Sequence, residues 1–282
     1  IHTTGDNNTA VGYQAGAYIT TGAGNVCVGD YAGFAVTTSD RGIFIGNTSG
    51  YAGAITGEKN TAIGDNAMRA LTNGQHNVAV GSQASMDNTT GTGNVAIGYN
   101  SQANVTTGSS NVSVGKNTLD DLTTGNNNTV IGHDTADTLT TGNSNTIIGY
   151  NAEPSSQTVD NEFTLGATNV TTLRCNQTSI SSLSDERDKT DIIDLTTGLD
   201  FINTLLPRQF KWQTRDGNIK DGLVRAGFIA QELQVAQKDC DFLDLVMDNN
   251  PEKLEAKQGN LIPVLVKAVQ ELSAEVNALK AA

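Results

Sequence analysis

The sequence predicts a mainly β chain: a β-solenoid or β-roll rod of about ten 17-residue coils, followed by a small α+β domain that ends in a coiled-coil-like helix. Three observations point there. Gly12, Gly29, Gly46, Gly64, Gly81, Gly98, Gly115, Gly132, Gly149 and Gly166 recur at intervals of 17 with a single 18, and a fixed period of this length is the signature of stacked coils. Composition changes near residue 183, with 25 of the 30 glycines lying before Ser184. Ile262, Leu265, Val269, Leu272, Val276 and Leu279 then alternate spacings of three and four, which makes a heptad seam.

The rod is built from one unit. An asparagine stands four residues before the repeat glycine at Asn8, Asn25, Asn60, Asn77, Asn94, Asn111, Asn128 and Asn145, with Gly42 and Glu162 as the exceptions. The residue before the glycine is always β-branched or aliphatic, from Val11 and Val28 to Ile148 and Leu165, and two residues earlier stand Thr9, Val26, Ile43 and their counterparts. This period of two predicts a short strand, four or five residues long, with one face turned to a core. A second glycine, often after Thr-Thr as in Thr20-Thr21-Gly22, marks another corner. One such unit cannot bury its apolar face, but stacked coils can, and ten at the strand spacing make a rod on the order of 45–50 Å long. Its core is thin and poor in aromatics, so three rods pressed together as a homotrimer are expected to cover the flank that one leaves open. The asparagine row reads as a hydrogen-bonded ladder. A threonine face for ice is disfavoured because the Thr-Thr pairs vary, as at Ile55-Thr56-Gly57 and Thr72-Asn73-Gly74, and repeated Gly-Gly-x-Gly-x-Asp calcium coils are missing.

Charge narrows the partners. Residues 1–183 carry 5 Lys+Arg against 13 Asp+Glu, and 184–282 carry 12 against 17, for a net charge of -13. Neither part is basic, which disfavours nucleic acid and anionic membrane surfaces as partners. No apolar run reaches membrane-spanning length and no signal peptide is visible. Ile1 enters in the middle of a repeat, so the chain reads as the C-terminal piece of something longer. Cys27, Cys175 and Cys240 are too scattered for a disulfide framework and read as free, packed thiols. His2, His76 and His133 fall at different repeat phases, so neither a metal site nor a cofactor is implied. Asp120-Asp121, an adjacent carboxylate pair beside a glycine corner, reads as solvated surface rather than a paired acid and base.

The division proposed from composition is a rod over 1–168, a Thr/Ser-rich connector over 169–183 and a domain over 184–282. Ser184-Asp185-Glu186-Arg187-Asp188-Lys189 opens the domain. Taken alone, Ser184 caps a helix start that Asp185 and Glu186 complement in charge. Thr197 to Leu206 has apolar residues at helical spacing and stops at Pro207. Arg208 to Trp212 alternates, a turn follows at Asp216-Gly217, and Leu223 to Ile229 returns as the partner strand. Trp212, the single tryptophan, reads as a core residue. Asn260 is placed to cap the last helix, whose fewer than three heptads need the adjoining domain or neighbouring chains to hold.

Two resemblances follow from these motifs. Over residues 5 to about 166, the segments NTAVGYQAG, NTAIGDNA, NVAVGSQAS and NVAIGYNS resemble the Asn-x-Ala-x-Gly repeats of trimeric autotransporter adhesin heads, which are trimeric left-handed β-rolls. Over 184–282, Ser184-Asp185-x-Arg187-x-Lys189, Phe210-Lys211-Trp212, Gly227-Phe228-Ile229-Ala230-Gln231-Glu232 and Leu261 to Leu272 resemble, in order and spacing, the C-terminal intramolecular chaperone of phage endosialidases and related tail spikes and fibres. This second resemblance implies a domain that trimerises the preceding fibre, helps it fold and then cuts itself off. Carried onto this chain, the scissile bond is Leu183-Ser184, the nucleophile Ser184 and the base Lys189, with Asp185, Arg187, Gln231 and Glu232 as supporting residues. A Ser-Lys pair is a known form of base-activated nucleophile, and a nearby cation such as Arg187 would ease proton loss from the lysine.

The expected function is therefore the distal part of a trimeric phage tail fibre or spike, attaching to a host cell-surface receptor such as a glycan and acting in the virion. Two other readings stand beside it. One is the stalk of a hydrolytic tailspike with its enzyme domain upstream; the other is a bacterial surface adhesin bearing the same chaperone.

Overall fold

The computed structural model describes residues 4–167, 170, 172–174, 184–213, 219–252 and 254–282. The chain divides into two compact units, Ile1–Val170 and Thr171–Ala282. His2, Cys175, Leu183, the expected turn at Asp216-Gly217 and most of the 169–183 connector lie outside the described residues. Among those described, no helix is long and apolar enough to cross a membrane.

The first unit is a parallel β-solenoid. Its strands are β1 (Thr9–Val11), β2 (Val26–Val28), β3 (Ile43–Ile45), β4 (Thr61–Ile63), β5 (Val78–Val80), β6 (Val95–Ile97), β7 (Val112–Val114), β8 (Thr129–Ile131), β9 (Thr146–Ile148) and β10 (Phe163–Leu165). They form one ten-stranded sheet in sequence order. The constant period puts like residues opposite one another, as in Val78↔Val95 and Ala79↔Ala96. After each strand the chain turns on a glycine with positive φ. At Gly81 (φ +139°) a Cβ would sit 2.4 Å from the Gly98 carbonyl oxygen, so both the backbone conformation and the next coil require the missing side chain.

The strands are three residues long, shorter than the four or five expected, and the structure decides which face points inward. The buried residue is the middle one: Cys27, Phe44, Ala62, Ala79, Ala96, Ser113, Val130 and Ile147 are wholly buried. The β-branched residues on either side are half-buried or exposed, with Val11 at 59%, Ile97 at 39% and Ile131 at 41% exposure. A period of two groups residues by face without saying which face is inside. Ile19, Met68, Leu71, Leu119, Leu122 and Leu139, from elsewhere in the coils, fill the interior and leave little width at the strand, so its inward position takes mostly small side chains and its bulky ones line the outside in two columns. The parity of the buried asparagines carries the same information, because Asn94 and Ala96 lie on one face.

The asparagines do form a ladder. The Asn77 Oδ1 accepts the backbone N–H of Asn94 at 2.9 Å, while its Nδ2 donates to the Gly91 carbonyl at 2.8 Å; Asn94 and Asn111 repeat the pattern. Gly42 interrupts the row because the Phe44 ring fills the space: a Cβ on Gly42 would lie 2.5 Å from it. A second ladder runs through the first threonine of each pair, whose hydroxyl donates to the next coil, as from Thr89 to Thr106 O at 3.0 Å. The 18-residue interval is taken up locally. Gly33 to Val36 spans three steps, but the matching stretch from Gly50 to Ile55 spans five, with Ile55 still bridged to Val36. The surplus residues bulge between Tyr51 and Ile55.

In the second unit, α1 (Leu199–Thr204), β11 (Arg208–Gln213), β12 (Ile219–Gly227), α2 (Ala230–Ala236), β13 (Val246–Met247), β14 (Glu255–Ala256) and α3 (Ile262–Ala281) follow in order. Phe201, Leu205, Leu233, Leu243, Leu245, Val246, Leu261 and Val264 make its core. The partner strand begins and ends earlier than expected, and Phe228-Ile229 instead leads into α2. Trp212 is not a core residue: it is 51% exposed and packs edge-on against Phe210 at 5.6 Å. It sits on a two-stranded ribbon, and the core lies among α1, α2 and α3 rather than under that ribbon. Asn260 does not cap α3 either. A 3-10 turn over Gln258–Leu261 precedes the helix, and the Asn260 Nδ2 is drawn away to the carbonyls of Leu243 and Asp244 at 3.2 and 2.8 Å.

Candidate active site

The hexapeptide at 184–189 folds as a single tight turn. Asp185 is extended (φ -71°, ψ 134°) and its Oδ1 accepts the Arg187 backbone N–H at 2.9 Å, capping a 3-10 turn over Glu186–Asp188. The Lys189 N–H closes that turn on the Glu186 carbonyl at 3.1 Å. The cap is therefore Asp185, not Ser184, whose hydroxyl is left for another partner. The turn reverses the chain, and Lys189 Nζ donates to Ser184 Oγ at 2.5 Å.

Arg187 does not serve as the free cation beside the lysine. Its guanidinium reaches back to Asp185, Nε to Oδ1 at 3.0 Å and Nη2 to Oδ2 at 2.6 Å. These bonds, with the backbone one, hold the Asp185 carboxyl below the ordinary carboxylate range. Asp185 and Arg187 thus form a bracket around the turn that brings Ser184 and Lys189 together. All six residues are exposed in the single chain. A lysine takes a proton from serine only once desolvation or unbalanced cations lower its proton affinity, so the geometry of the pair is in place while its exclusion from water is not. Leu183, which would supply the attacked carbonyl, lies outside the described residues.

Gln231 and Glu232 stand elsewhere, on α2. The Glu232 carboxylate receives Arg208 of β11, Nη2 to Oε1 at 2.6 Å and Nε to Oε2 at 3.0 Å, and this pairing holds it below its usual range. Gln231 borders an apolar groove of about 600 Å³ with Leu205, Leu206, Phe228 and Val235. Among the described residues no hydrogen bond joins Gln231 or Glu232 to Ser184 or Lys189. Sequence reasoning passed over Glu271. Its Oε2 accepts the free N–H of Leu199 at 2.7 Å, so that α3 supplies the cap for α1. The Lys267–Glu271 spacing of four was a visible signal; the contact across 72 positions was not.

Residues 184–241 match the family model Peptidase_S74, described as chaperone of endosialidase. That segment is similar to an intramolecular chaperone. The match begins at Ser184 itself and takes in the Ser-Lys turn, α1, the β11–β12 ribbon and α2, so the matched segment carries both members of the pair. Neither the curated proteins nor the solved structures include a match to this chain.

Proposed function

We propose that the chain is the distal part of a homotrimeric phage tail fibre or spike that acts in host-surface attachment, whose chaperone segment drives trimerisation and folding and then cuts the Leu183-Ser184 bond. The observation that carries the reading is the Lys189–Ser184 contact at the first residue of the matched segment. In the reaction, neutral Lys189 takes the Ser184 hydroxyl proton and Oγ attacks the Leu183 carbonyl carbon. The C–N bond breaks as the Ser184 nitrogen takes up a proton, leaving an ester on Oγ, and water then hydrolyses that ester to a Leu183 carboxylate. Because nucleophile and carbonyl are neighbours in one chain, the cost of bringing them together is already met. One turnover suffices.

Assembly is supported by two apolar surfaces left open in the single chain. The heptad residues of α3 are exposed, Ile262 at 62% and Val269 at 65%, whereas the helix docks on its own unit through Val264 and Ala268. The outward β-branched columns of the solenoid are the second. Trimer formation would supply the dry environment that the Ser-Lys pair lacks, coupling the cut to correct assembly.

Intact mass of the purified product tests the cut. Wild type should split after Leu183, and Ser184→Ala and Lys189→Ala should both stay whole. A wild type that stays whole under all folding conditions, or a Lys189→Ala that is cut normally, removes the peptidase from the reading and leaves a permanent trimer clamp.

A further inference from the structure

Aromatic side chains gather at one end of the solenoid. Tyr13, Tyr18, Tyr31, Phe34 and Tyr51 belong to the first three coils and touch in sequence: Tyr18 meets Phe34 edge-on at 4.8 Å, Phe34 stacks on Tyr51 at 5.2 Å with an angle of 22°, and Tyr31 meets Tyr13 and Tyr51 at 5.3 and 5.7 Å. Tyr18, Phe34 and Tyr51 are also walls of a groove of about 470 Å³, completed by Thr37 and by Ala52, Gly53 and Ala54. Those last residues are the bulge made by the 18-residue interval, so the one irregular step in the glycine period helps to shape the groove.

Three features specify an occupant. The rings are partly bare, with Tyr18 56% exposed, and flat aromatic surface held rigid by its neighbours offers contact at little entropic cost. The Tyr18 and Tyr51 hydroxyls make no hydrogen bond among the described residues, so polar groups stand at the rim of an apolar floor. No charged side chain lines the groove, in a chain whose net charge of -13 repels polyanions. A ligand that suits this is uncharged, flat on an apolar C–H face and hydroxylated at its edge.

We propose that this groove is a saccharide-binding site for a neutral pyranose glycan, which stacks on Tyr18, lies against Tyr51 at the other wall and bonds both hydroxyls. The site names a ligand class for the attachment function and rests on that reading. Its volume falls within the range of small-ligand pockets, enough for one or two sugar rings. A second copy of the chain is the competing occupant, and the test separates the two.

The full chain is passed over an array printed with neutral dextran, mannan, galactan and β-glucan, and with acidic polysialic acid and hyaluronate. Wild type should hold at least one neutral polysaccharide and neither acidic one. Tyr18→Ala and Tyr51→Ala should each lose at least tenfold in affinity, with thermal midpoint and oligomer mass unchanged, while Tyr150→Ala, outside the groove, should bind like wild type. Retention of no neutral polysaccharide overturns the site, as does binding that survives both variants. Loss of oligomer mass in Tyr18→Ala or Tyr51→Ala overturns it in favour of a second copy. Adsorption to a panel of reference bacterial strains is followed in parallel. Both groove variants adsorbing like wild type would retain attachment and remove the groove, whereas wild type that adsorbs to no strain would remove attachment itself.

Discussion

Ser184 and Lys189 touch because a carboxylate between them caps the turn. Without Asp185 taking the Arg187 N–H and guanidinium, the four intervening residues have no reason to bring Nζ back to Oγ. The same scale accounts for Asp120, which sequence placed on solvated surface. Asp121 is exposed, but Asp120 is half-buried and its Oδ1 has no hydrogen-bond partner, while Oδ2 takes only the Asn100 amide at 3.1 Å. Burial first, then the charge of Asp121, pushes its pKa from 3.8 up to about 6. Between those values the folded chain binds more protons than the unfolded one, so this group makes stability fall as pH rises through that window. Thermal midpoints of the rod should therefore be higher at pH 5 than at pH 7.5, and Asp120→Asn should narrow the gap by raising the value at pH 7.5. An unchanged gap in that variant would assign the pH dependence to other carboxylates.

The elements of the rod stand on their ladders as well as on their core. Removing one rung by Asn94→Ala strands the Gly108 carbonyl and the Asn111 N–H inside the coil, and each unmet buried group costs about 1–3 kcal/mol. A drop in the denaturation midpoint of the rod, with the neighbouring Thr92→Ala nearly silent, is the expected result. Much of this was legible: the glycine period gave the coil, the strands and their register, and the asparagine row gave the ladder. The inward face was not, because Val95, Ala96 and Ile97 alternate equally well in either sense, and interior width decides between them. In the second unit α1, β11 and α3 were readable from spacing and Pro207. Trp212 and Asn260 were misread because each depends on what lies across from it in space: a ribbon without a covering layer, and two carbonyls some sixteen positions away. In the candidate site the sequence named the pair, but not the bracket that sets it.

At the scale of the whole molecule, the seam of α3 and the outer columns of the solenoid are apolar surfaces exposed in the single chain, where the proposed trimer would close. Leu272→Glu should leave the helical signal intact, because Leu272 is 49% exposed and is not among the residues of the unit's core, yet it should abolish the proposed trimer by light scattering. If cutting depends on assembly, the same variant should remain full length; a monomer cut at the normal rate would uncouple the two. The in-register stacking has a further consequence, for heredity. Since each coil offers its successor the same bonds that it receives from its predecessor, a gene that gains or loses one whole repeat yields a rod with every row continuous and no new surface to solve. Length is then open to change by recombination between repeats, whereas a stray single-codon insertion disturbs the rows unless, as between Gly50 and Gly57, it falls where the chain bulges outward.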